Sequence, residues 1–138
     1  MNAVDAATRR AQLHTIARAY VTEGLAKKNF DAIPYDDNVT LRAPLCPGGS
    51  DVPLTGKENL RQIWWPPLPQ LMGDARVIDS YANEDLTAVA CEFLLDIVNP
   101  PCTLRILDRF TVNTEGKIIE QANHFDPRNV TNPGWQEG

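Results

Sequence analysis

Four strand-like segments follow one another in the second half of the chain, and this run constrains the fold more than any other feature. They span about 75–81, 87–98, 103–112 and 117–125. Each segment is rich in β-branched or aromatic residues, and the connections between them are short and contain Asn, Pro or Gly. Connections this short join antiparallel neighbours, because a parallel pair needs a much longer crossover. We therefore expect an antiparallel meander.

The first half of the chain is mainly helical. Apolar residues recur every three or four positions over about 8–28, which predicts an amphipathic helix, and 29–33 fits a short second helix. A third helix is expected from Thr55, whose spacing to Glu58 fits a capping box, to the break at Pro66. Helices followed by a meander are typical of an α+β fold in which the helices pack on one sheet face.

Chain length and composition indicate one globular domain. The 138 residues include 43% hydrophobic and 22% charged side chains, which is ordinary for a chain with a single core. We expect one domain over 1–138, with a folded core over about 8–128 and a tail over 129–138. A further strand is expected over 39–45, ahead of a loop rich in Gly and Pro.

The composition argues against several classes of function. A net charge of −5 without a long basic run disfavours binding to nucleic acid. No apolar stretch approaches the roughly 18 residues of a membrane-spanning helix, and the first residues lack the features of a signal peptide. Three cysteines and two histidines without metal-ligand spacing disfavour a metal site. We expect a cytoplasmic protein that uses no metal and no other cofactor.

Asp108 is the residue that points most directly to chemistry. The segment 104–112 alternates, and strands present successive side chains on opposite faces. The face that carries Asp108 is otherwise apolar and consists of Leu104, Ile106, Asp108, Phe110 and Val112. A carboxylate among such side chains is costly, so we expect Asp108 to be hydrogen-bonded, paired or protonated. A register shift of one residue would instead place it on the wet face beside Arg105, and the sequence leaves this alternative open.

The same alternation predicts a pocket on the concave face of the meander. Gln121 and Asn123 join Asp108 as its few polar groups, and Trp64 of the third helix is expected along its wall. The other apolar walls are Phe93, Leu95, Phe110 and Phe125. Apolar walls with sparse polar groups are typical of small-molecule sites. A purely structural alternative stays open, because Gln121 and Asn123 can satisfy each other and a buried Asp108 can simply be hydrogen-bonded.

The opposite face of the meander is expected to be wet. One strand presents Glu92 and Asp96 on this face. The next strand presents Arg105 and Arg109 there, so we expect cross-strand ion pairs. Leu107 lies among these charges, and the mixture also suits contact with a second copy of the chain.

Six segments of the chain together form a recognisable pattern. They are residues 20–21, 29–33, 35–39, 56–60, 107–110 and 115–128. In this pattern the chain resembles the nuclear-transport-factor-like superfamily, which includes ketosteroid isomerases, SnoaL-type polyketide cyclases, limonene epoxide hydrolase and scytalone dehydratase. The resemblance covers nearly the whole chain. It implies three N-terminal helices packed on a strongly curved, mainly antiparallel mixed sheet that forms a cone with an apolar pocket, and it implies a homodimer.

Individual residues extend the resemblance and also limit it. In the oxyanion hole of ketosteroid isomerases an Asp stands before a basic residue and a Phe, as Asp108 does here. A Tyr of their first helix completes that hole, and Tyr20 occupies the similar position. Their general base is an Asp before a Pro at the end of the first strand, where this chain has Ala43. The water-activating Asp of limonene epoxide hydrolase falls on Asn123, which is not a base.

The resemblance thus implies an isomerase, cyclase or hydratase acting on an apolar carbonyl- or epoxide-bearing small molecule. Tyr20, Asp108 and Asn123 are the expected catalytic residues, and Asp51 in the loop near the pocket is a possible base. Substrate contacts are expected from Trp64, Phe93, Leu95, Phe110, Gln121 and Phe125. The alternative is a non-catalytic domain of the same fold that binds a hydrophobic ligand or serves dimerisation, with Tyr20 as a core residue.

Overall fold

A computed structural model describes residues 3–46 and 48–128. The predicted tail over 129–138 lies outside these residues. Within them, helices pack against one six-stranded mixed sheet that does not close, so the expected α+β fold class is confirmed. None of the helices in this part of the chain has the length and apolar character needed to cross a membrane.

The sheet contains the five predicted strands and one more. Their bounds are β1 Tyr35–Arg42, β2 Leu54–Thr55, β3 Met72–Ala82, β4 Ala88–Val98, β5 Pro101–Val112 and β6 Ile118–His124. The strands lie in the order β2-β1-β6-β5-β4-β3. The pairs from β3 to β6 are antiparallel, which confirms the meander, whereas β1 lies parallel to β6. Strand β1 ends before Pro44, which has no N–H to donate to a sheet ladder.

The first helical region is α1, Ala3–Ala19, which continues into a π-helical segment, Tyr20–Leu25. The π-helical pattern is visible in the Ala26 N–H, which donates to the Val21 carbonyl at 2.8 Å. The predicted second helix is reduced to one 3₁₀ turn, Phe30–Ala32. Helix α1 and the π-helical segment pack on β3, and α1 also contacts β4, so one side of the sheet is covered.

The third helical region is shorter and begins later than predicted. Helix α2 covers Lys57–Asn59, a π-helical segment covers Leu60–Trp64, and α3 covers Leu68–Leu71. The predicted capping box is wrong, because Gly56 precedes the helix and no side chain caps it. Thr55 lies in β2 opposite Thr40 and therefore belongs to the sheet.

A change of register between β5 and β6 decides which side chains of β6 face inward. The pairing shifts between Thr111 and Val112 of β5. Ile118 is therefore fully buried, and Ile119 is 37% exposed although simple alternation would bury it. Beyond the shift the alternation is regular, and Gln121 and Asn123 are buried as predicted.

The outer face of the sheet carries ion pairs, one of which was predicted. Arg105 Nη1 lies 2.6 Å from Glu92 Oε2. Asp96 does not pair with an arginine of β5, because Thr103 stands opposite it and donates to it at 2.9 Å. The arginine partner of Asp96 is instead Arg76 of β3, at 3.0 Å. Such exposed pairs contribute little stability, about 0–1 kcal/mol each.

Arg9 attaches α1 to the far end of the sheet. Its guanidinium donates to the carbonyl oxygens of Leu86 at 3.0 Å, Val112 at 2.8 Å and Asn113 at 3.1 Å. These carbonyls belong to the β3–β4 connection and to the end of β5. One charged side chain therefore connects the helix to two hairpins.

Candidate active site

An apolar cavity of about 280 Å³ lies between the concave face of the sheet and residues 60–72. Inward-facing side chains of β4 and β5 form one wall, and the helical residues form the other. Leu45 and Ile63 line the cavity and are 51% and 46% exposed, so they mark its mouth. The volume is close to the lower end of the range for small-molecule sites, roughly 300–1,000 Å³.

Four of the six predicted substrate-contact residues line this cavity. They are Trp64, Phe93, Leu95 and Phe125. Phe110 and Gln121 do not line it, which corrects the expectation that they touch the ligand. Both are fully buried, and the Tyr20 ring packs edge-on against Phe110 with the centroids 4.9 Å apart. These two residues therefore support the cavity wall from behind.

The three predicted catalytic residues meet at the cavity. Tyr20 comes from the first π-helical segment, Asp108 from β5 and Asn123 from β6, and all three line the cavity and are buried. Asp108 and Asn123 stand directly opposite each other in the β5–β6 register, so their side chains share the inner face. π-Helical segments are frequent at functional sites, and Tyr20 opens one here.

Asp108 lies in surroundings that favour its neutral form. Its side chain is 1% exposed, and burial raises the pKa of this carboxyl well above its ordinary value. The Tyr20 hydroxyl and the backbone N–H of His124 hydrogen-bond to the carboxyl and lower its pKa, but burial is the larger effect. A neutral carboxyl in an apolar cavity can donate a hydrogen bond or a proton to a ligand oxygen.

Tyr20 is a second neutral donor. Burial raises the pKa of its hydroxyl well above the ordinary value, and the nearby Asp108 raises it further. The hydroxyl therefore keeps its proton, and it hydrogen-bonds to Asp108. The two groups together form a pair that can stabilise negative charge on an oxygen placed against them.

A buried hydrogen-bond network lies behind this pair. The Tyr35 hydroxyl donates to Gln121 Oε1 at 2.5 Å. Gln121 Nε2 donates to the Tyr20 hydroxyl at 3.1 Å and to Asn123 Oδ1 at 2.8 Å. Tyr35 is the residue that sequence analysis missed, because its link to Gln121 spans 86 positions and depends on the parallel β1–β6 pair. The network holds the side chains of Tyr20 and Asn123 in fixed orientations.

Asp51 is not at the cavity. It lies exposed in a 3₁₀ turn, Gly49–Asp51, and is not one of the lining residues. The structure thus does not bring this predicted possible base to the site, whereas Ala43 does line the cavity wall. Among the described lining residues, the titratable ones are Tyr20, Cys46 and Asp108. Burial raises the pKa of the Cys46 thiol, which favours its neutral form.

Metal-ligating side chains are not clustered in the described residues. No group of three or more His, Cys, Asp or Glu residues in 3–46 and 48–128 has a geometry that could hold a metal ion. The lining residues also include no lysine, arginine or histidine within the part of the chain that the structure describes. The polar chemistry of the cavity is therefore that of a carboxyl, a phenol, an amide and a thiol.

Solved structures of the same architecture are numerous, although no family model and no curated protein matches the sequence. A SnoaL-like protein of unknown function from Burkholderia thailandensis has a TM-score of 0.67 and 19% identity, covering 84% of this chain and 95% of its own. A steroid delta-isomerase from Pseudomonas aeruginosa has a TM-score of 0.64 and 19% identity, covering 85% and 84%. A Mycobacterium tuberculosis protein in complex with estradiol-17beta-hemisuccinate has a TM-score of 0.66 and 12% identity, covering 82% and 93%.

These similarities establish the fold. The chain shares its α+β fold with solved structures that include a SnoaL-like protein, an NTF2-like protein and a steroid delta-isomerase. At sequence identities of 12–19% the similarity supports a shared architecture only. Function depends on the residues that each chain places in the cavity.

Proposed function

We propose that the protein is an enzyme of the isomerase, cyclase or hydratase type that acts on an apolar small molecule bearing a carbonyl or an epoxide. The observation that carries this proposal is the placement of two buried groups, the Tyr20 hydroxyl and the Asp108 carboxyl, at the wall of an apolar cavity, where burial raises the pKa of both and favours their neutral, donating forms. The fold supports it, since a steroid delta-isomerase shares this architecture and another protein with it was crystallised with a steroid derivative.

Tyr20 and Asp108 are proposed to act on the oxygen of the substrate. An oxygen placed against both donors accepts their hydrogen bonds as negative charge develops on it. Such bonds are strong in a cavity that excludes water, and each donor contributes about 10²–10³ in rate. Asn123 orients the substrate or a water molecule, because its amide both donates and accepts.

Proton transfer is assigned to Asp108 itself or to the substrate, because Asp51 lies outside the cavity. In the opening of an epoxide, Asp108 gives its proton to the epoxide oxygen as the carbon–oxygen bond breaks. A hydroxyl of the substrate, or a water, forms the new bond to carbon and returns its proton to Asp108. This sequence is balanced and needs no second carboxylate, so it suits the residues that line the cavity.

The proposal is tested by turnover of a panel of apolar ketones and epoxides, with products followed by mass spectrometry. Asp108→Asn keeps the size of the side chain but cannot transfer a proton, and Tyr20→Phe removes the second donor. Each should lower turnover by about 10²–10³. The exposed Asp51→Asn is the matched control and should leave turnover unchanged. Wild-type turnover in Asp108→Asn would contradict the proposed role.

A non-catalytic ligand-binding protein is the second candidate. Ala43 favours it, because this residue lines the cavity where the resembling isomerases carry their base. This function predicts that Asp108→Leu keeps or tightens the binding of an apolar ligand, since a carboxyl that is costly to desolvate has been removed. Binding of an apolar ketone by calorimetry, measured together with turnover, separates the two functions.

We also propose that the outer face of the sheet forms a homodimer. Leu107 is 40% exposed there, beside the Arg105–Glu92 ion pair, and Tyr81 is 49% exposed on β3 and donates to Glu92 at 3.2 Å. A face with central apolar groups and charges of both signs can pair with a second copy of itself about a twofold axis. The opposite face of the sheet, which carries the cavity, remains accessible to substrate in such a dimer.

A further inference from the structure

We infer that Tyr35 and Gln121 are positioning residues that hold the Asn123 amide with its oxygen against Asp108, so that Asp108 keeps its proton in the ligand-free protein and a substrate oxygen can replace Asn123 as the acceptor of that proton. Neither residue lines the cavity. They act through Asn123, which does line it. The role in catalysis rests on the proposed function, whereas the hydrogen-bond arrangement itself can be tested on the ligand-free protein.

The hydrogen bond from Tyr35 fixes the orientation of the Gln121 amide. The Tyr35 side chain is 2% exposed, and Gln121 Oε1, at 2.5 Å, is its hydrogen-bond partner in the described structure. If the Gln121 amide were reversed, Nε2 would donate to Tyr35 and the hydroxyl proton of Tyr35 would lose its acceptor. An unsatisfied buried donor is unfavourable, so Tyr35 keeps the Gln121 oxygen on its own side.

The Gln121 amide in turn contacts the Asn123 amide. With Oε1 held by Tyr35, Gln121 Nε2 faces the Tyr20 hydroxyl at 3.1 Å and the Asn123 amide at 2.8 Å. Nε2 is only a donor, so the Asn123 atom that meets it must be the oxygen. The orientation of one amide therefore fixes the orientation of the next.

The Asn123 amide in turn contacts the Asp108 carboxyl. The Asn123 atom that meets Gln121 also lies 3.1 Å from Asp108 Oδ1 and 3.2 Å from Asp108 Oδ2. An amide oxygen repels a carboxylate at this distance but accepts a hydrogen bond from a carboxylic acid. Reversing Asn123 would place its NH₂ group against Asp108 and favour the anion, but it would also set two donors against each other at Gln121. The network thus selects the protonated acid.

The other titratable groups near Asp108 do not account for this selection. Tyr20 hydrogen-bonds to Asp108, which lowers the Asp108 pKa. Cys91 stands opposite Asp108 on β4, and burial raises the pKa of its thiol to about 11, so it is neutral. His124 contributes its backbone N–H rather than its exposed ring. The Tyr35 hydroxyl bonds to Gln121 rather than to Asp108, so its effect must pass through the two amides.

The test compares the protonation midpoint of Asp108 in three proteins by carbon-detected NMR of the carboxyl group, without ligand. In Tyr35→Phe the two amides can reverse together, and we expect the midpoint of Asp108 to fall. Tyr81→Phe is the matched control, because it removes an exposed tyrosine hydroxyl on the outer face, and the midpoint should match that of the wild type. An unchanged or raised midpoint in folded Tyr35→Phe would overturn the inference.

A second measurement needs no variant. In the wild-type protein, the side-chain NH₂ protons of Gln121 should show nuclear Overhauser effects to the Tyr20 ring, because Nε2 lies 3.1 Å from the Tyr20 oxygen. Effects to the Tyr35 ring alone would show the reversed amide and would overturn the inference. Both measurements use ligand-free protein, so their outcome is independent of whether any ketone or epoxide is turned over.

Discussion

The side-chain amide of Asn123 lies 3.1 and 3.2 Å from the two carboxyl oxygens of Asp108, across the β5–β6 pair. The Asn123 amide can present either its NH₂ donor or its oxygen acceptor to Asp108. The Asp108 carboxyl can in turn be protonated or ionised. The protonation of Asp108 and the orientation of Asn123 are therefore linked. Since both side chains line the cavity, the same link determines which polar atoms a ligand meets.

The first prediction concerns the pH dependence of stability. Burial raises the pKa of Asp108 in the folded state, so between the unfolded and folded pKa values the folded protein binds more protons. The contribution of Asp108 to the free energy of unfolding is therefore greatest below its unfolded pKa, about 4, and is lost as the pH rises toward the folded pKa. Asp108→Asn cannot titrate. The stability of the wild type relative to Asp108→Asn should fall with rising pH, as measured by urea denaturation from about pH 4 to about pH 8.

Using the difference between the two proteins removes the contribution of other titrating groups. Asp126, for example, has a pKa lowered to about 2 by its hydrogen bonds with Arg128, and it is present in both proteins. A stability difference that stays constant over this pH range would contradict the burial-induced shift at Asp108.

The second prediction concerns Arg9. Replacing it with Met keeps part of the apolar stem but removes the donors to the carbonyls of Leu86, Val112 and Asn113. We expect the free energy of unfolding to fall by about 1–3 kcal/mol, because charge-assisted hydrogen bonds at the end of the sheet are lost. The neighbouring Arg10 is exposed, and Arg10→Met is the matched control. Equal stabilities of the two variants would show that the Arg9 contacts contribute nothing.

The third prediction concerns the proposed homodimer. Leu107→Glu places a negative charge in the middle of the outer face, next to Glu92, and should convert the dimer to a monomer in size-exclusion chromatography with light scattering. Val52→Glu changes another exposed apolar residue, in the loop between β1 and β2, and should leave the dimer intact. A wild-type protein that is monomeric at high concentration would exclude this interface.

The fourth prediction concerns the missing base. Ala43 is buried and lines the cavity together with Tyr20 and Asp108. Ala43→Asp should introduce a carboxylate near the bound substrate and accelerate exchange of the α-hydrogens of an apolar ketone with deuterated water by about 10²-fold. Proton NMR of the ketone measures this exchange, and Ala43→Asn controls for the change in size. If the ketone binds to Ala43→Asp but exchanges no faster than with Ala43→Asn, the oxygen is not held beside Tyr20 and Asp108 as proposed.

The position of Asp108 was predictable from the sequence because strand alternation is a local property. The alternation of side chains from Leu104 to Val112 indicates which face of the strand is apolar. No knowledge of contacts with other segments of the chain is needed to place the carboxyl on that face. The same rule failed at Ile119, since a register shift against β5 reverses the expected face, and such a shift depends on the partner strand. Gln121 and Asn123 lie beyond the shift and follow the rule again.

Other parts of the site depend on contacts that the sequence does not display. Tyr35 reaches Gln121 only because β1 and β6 pair in parallel, although the two strands are far apart in the chain. Asp51 was placed near the pocket from its position in a loop, and the path of that loop carries it to the surface. Phe110 faces inward as predicted but lies behind Tyr20. Strand alternation predicts the face on which a side chain lies, but not whether another side chain separates it from the cavity.

Titration of the Asp108 carboxyl in the wild-type protein by carbon-detected NMR shows directly whether this group can act as a neutral donor. We predict that Asp108 remains protonated at pH values where the exposed carboxyls have all ionised, because it is buried in the wall of an apolar cavity. Titration of Asp108 together with the exposed carboxyls would show a solvated or ion-paired group. In that case Asp108 could not act as a neutral donor, and the proposed catalytic pair would be contradicted.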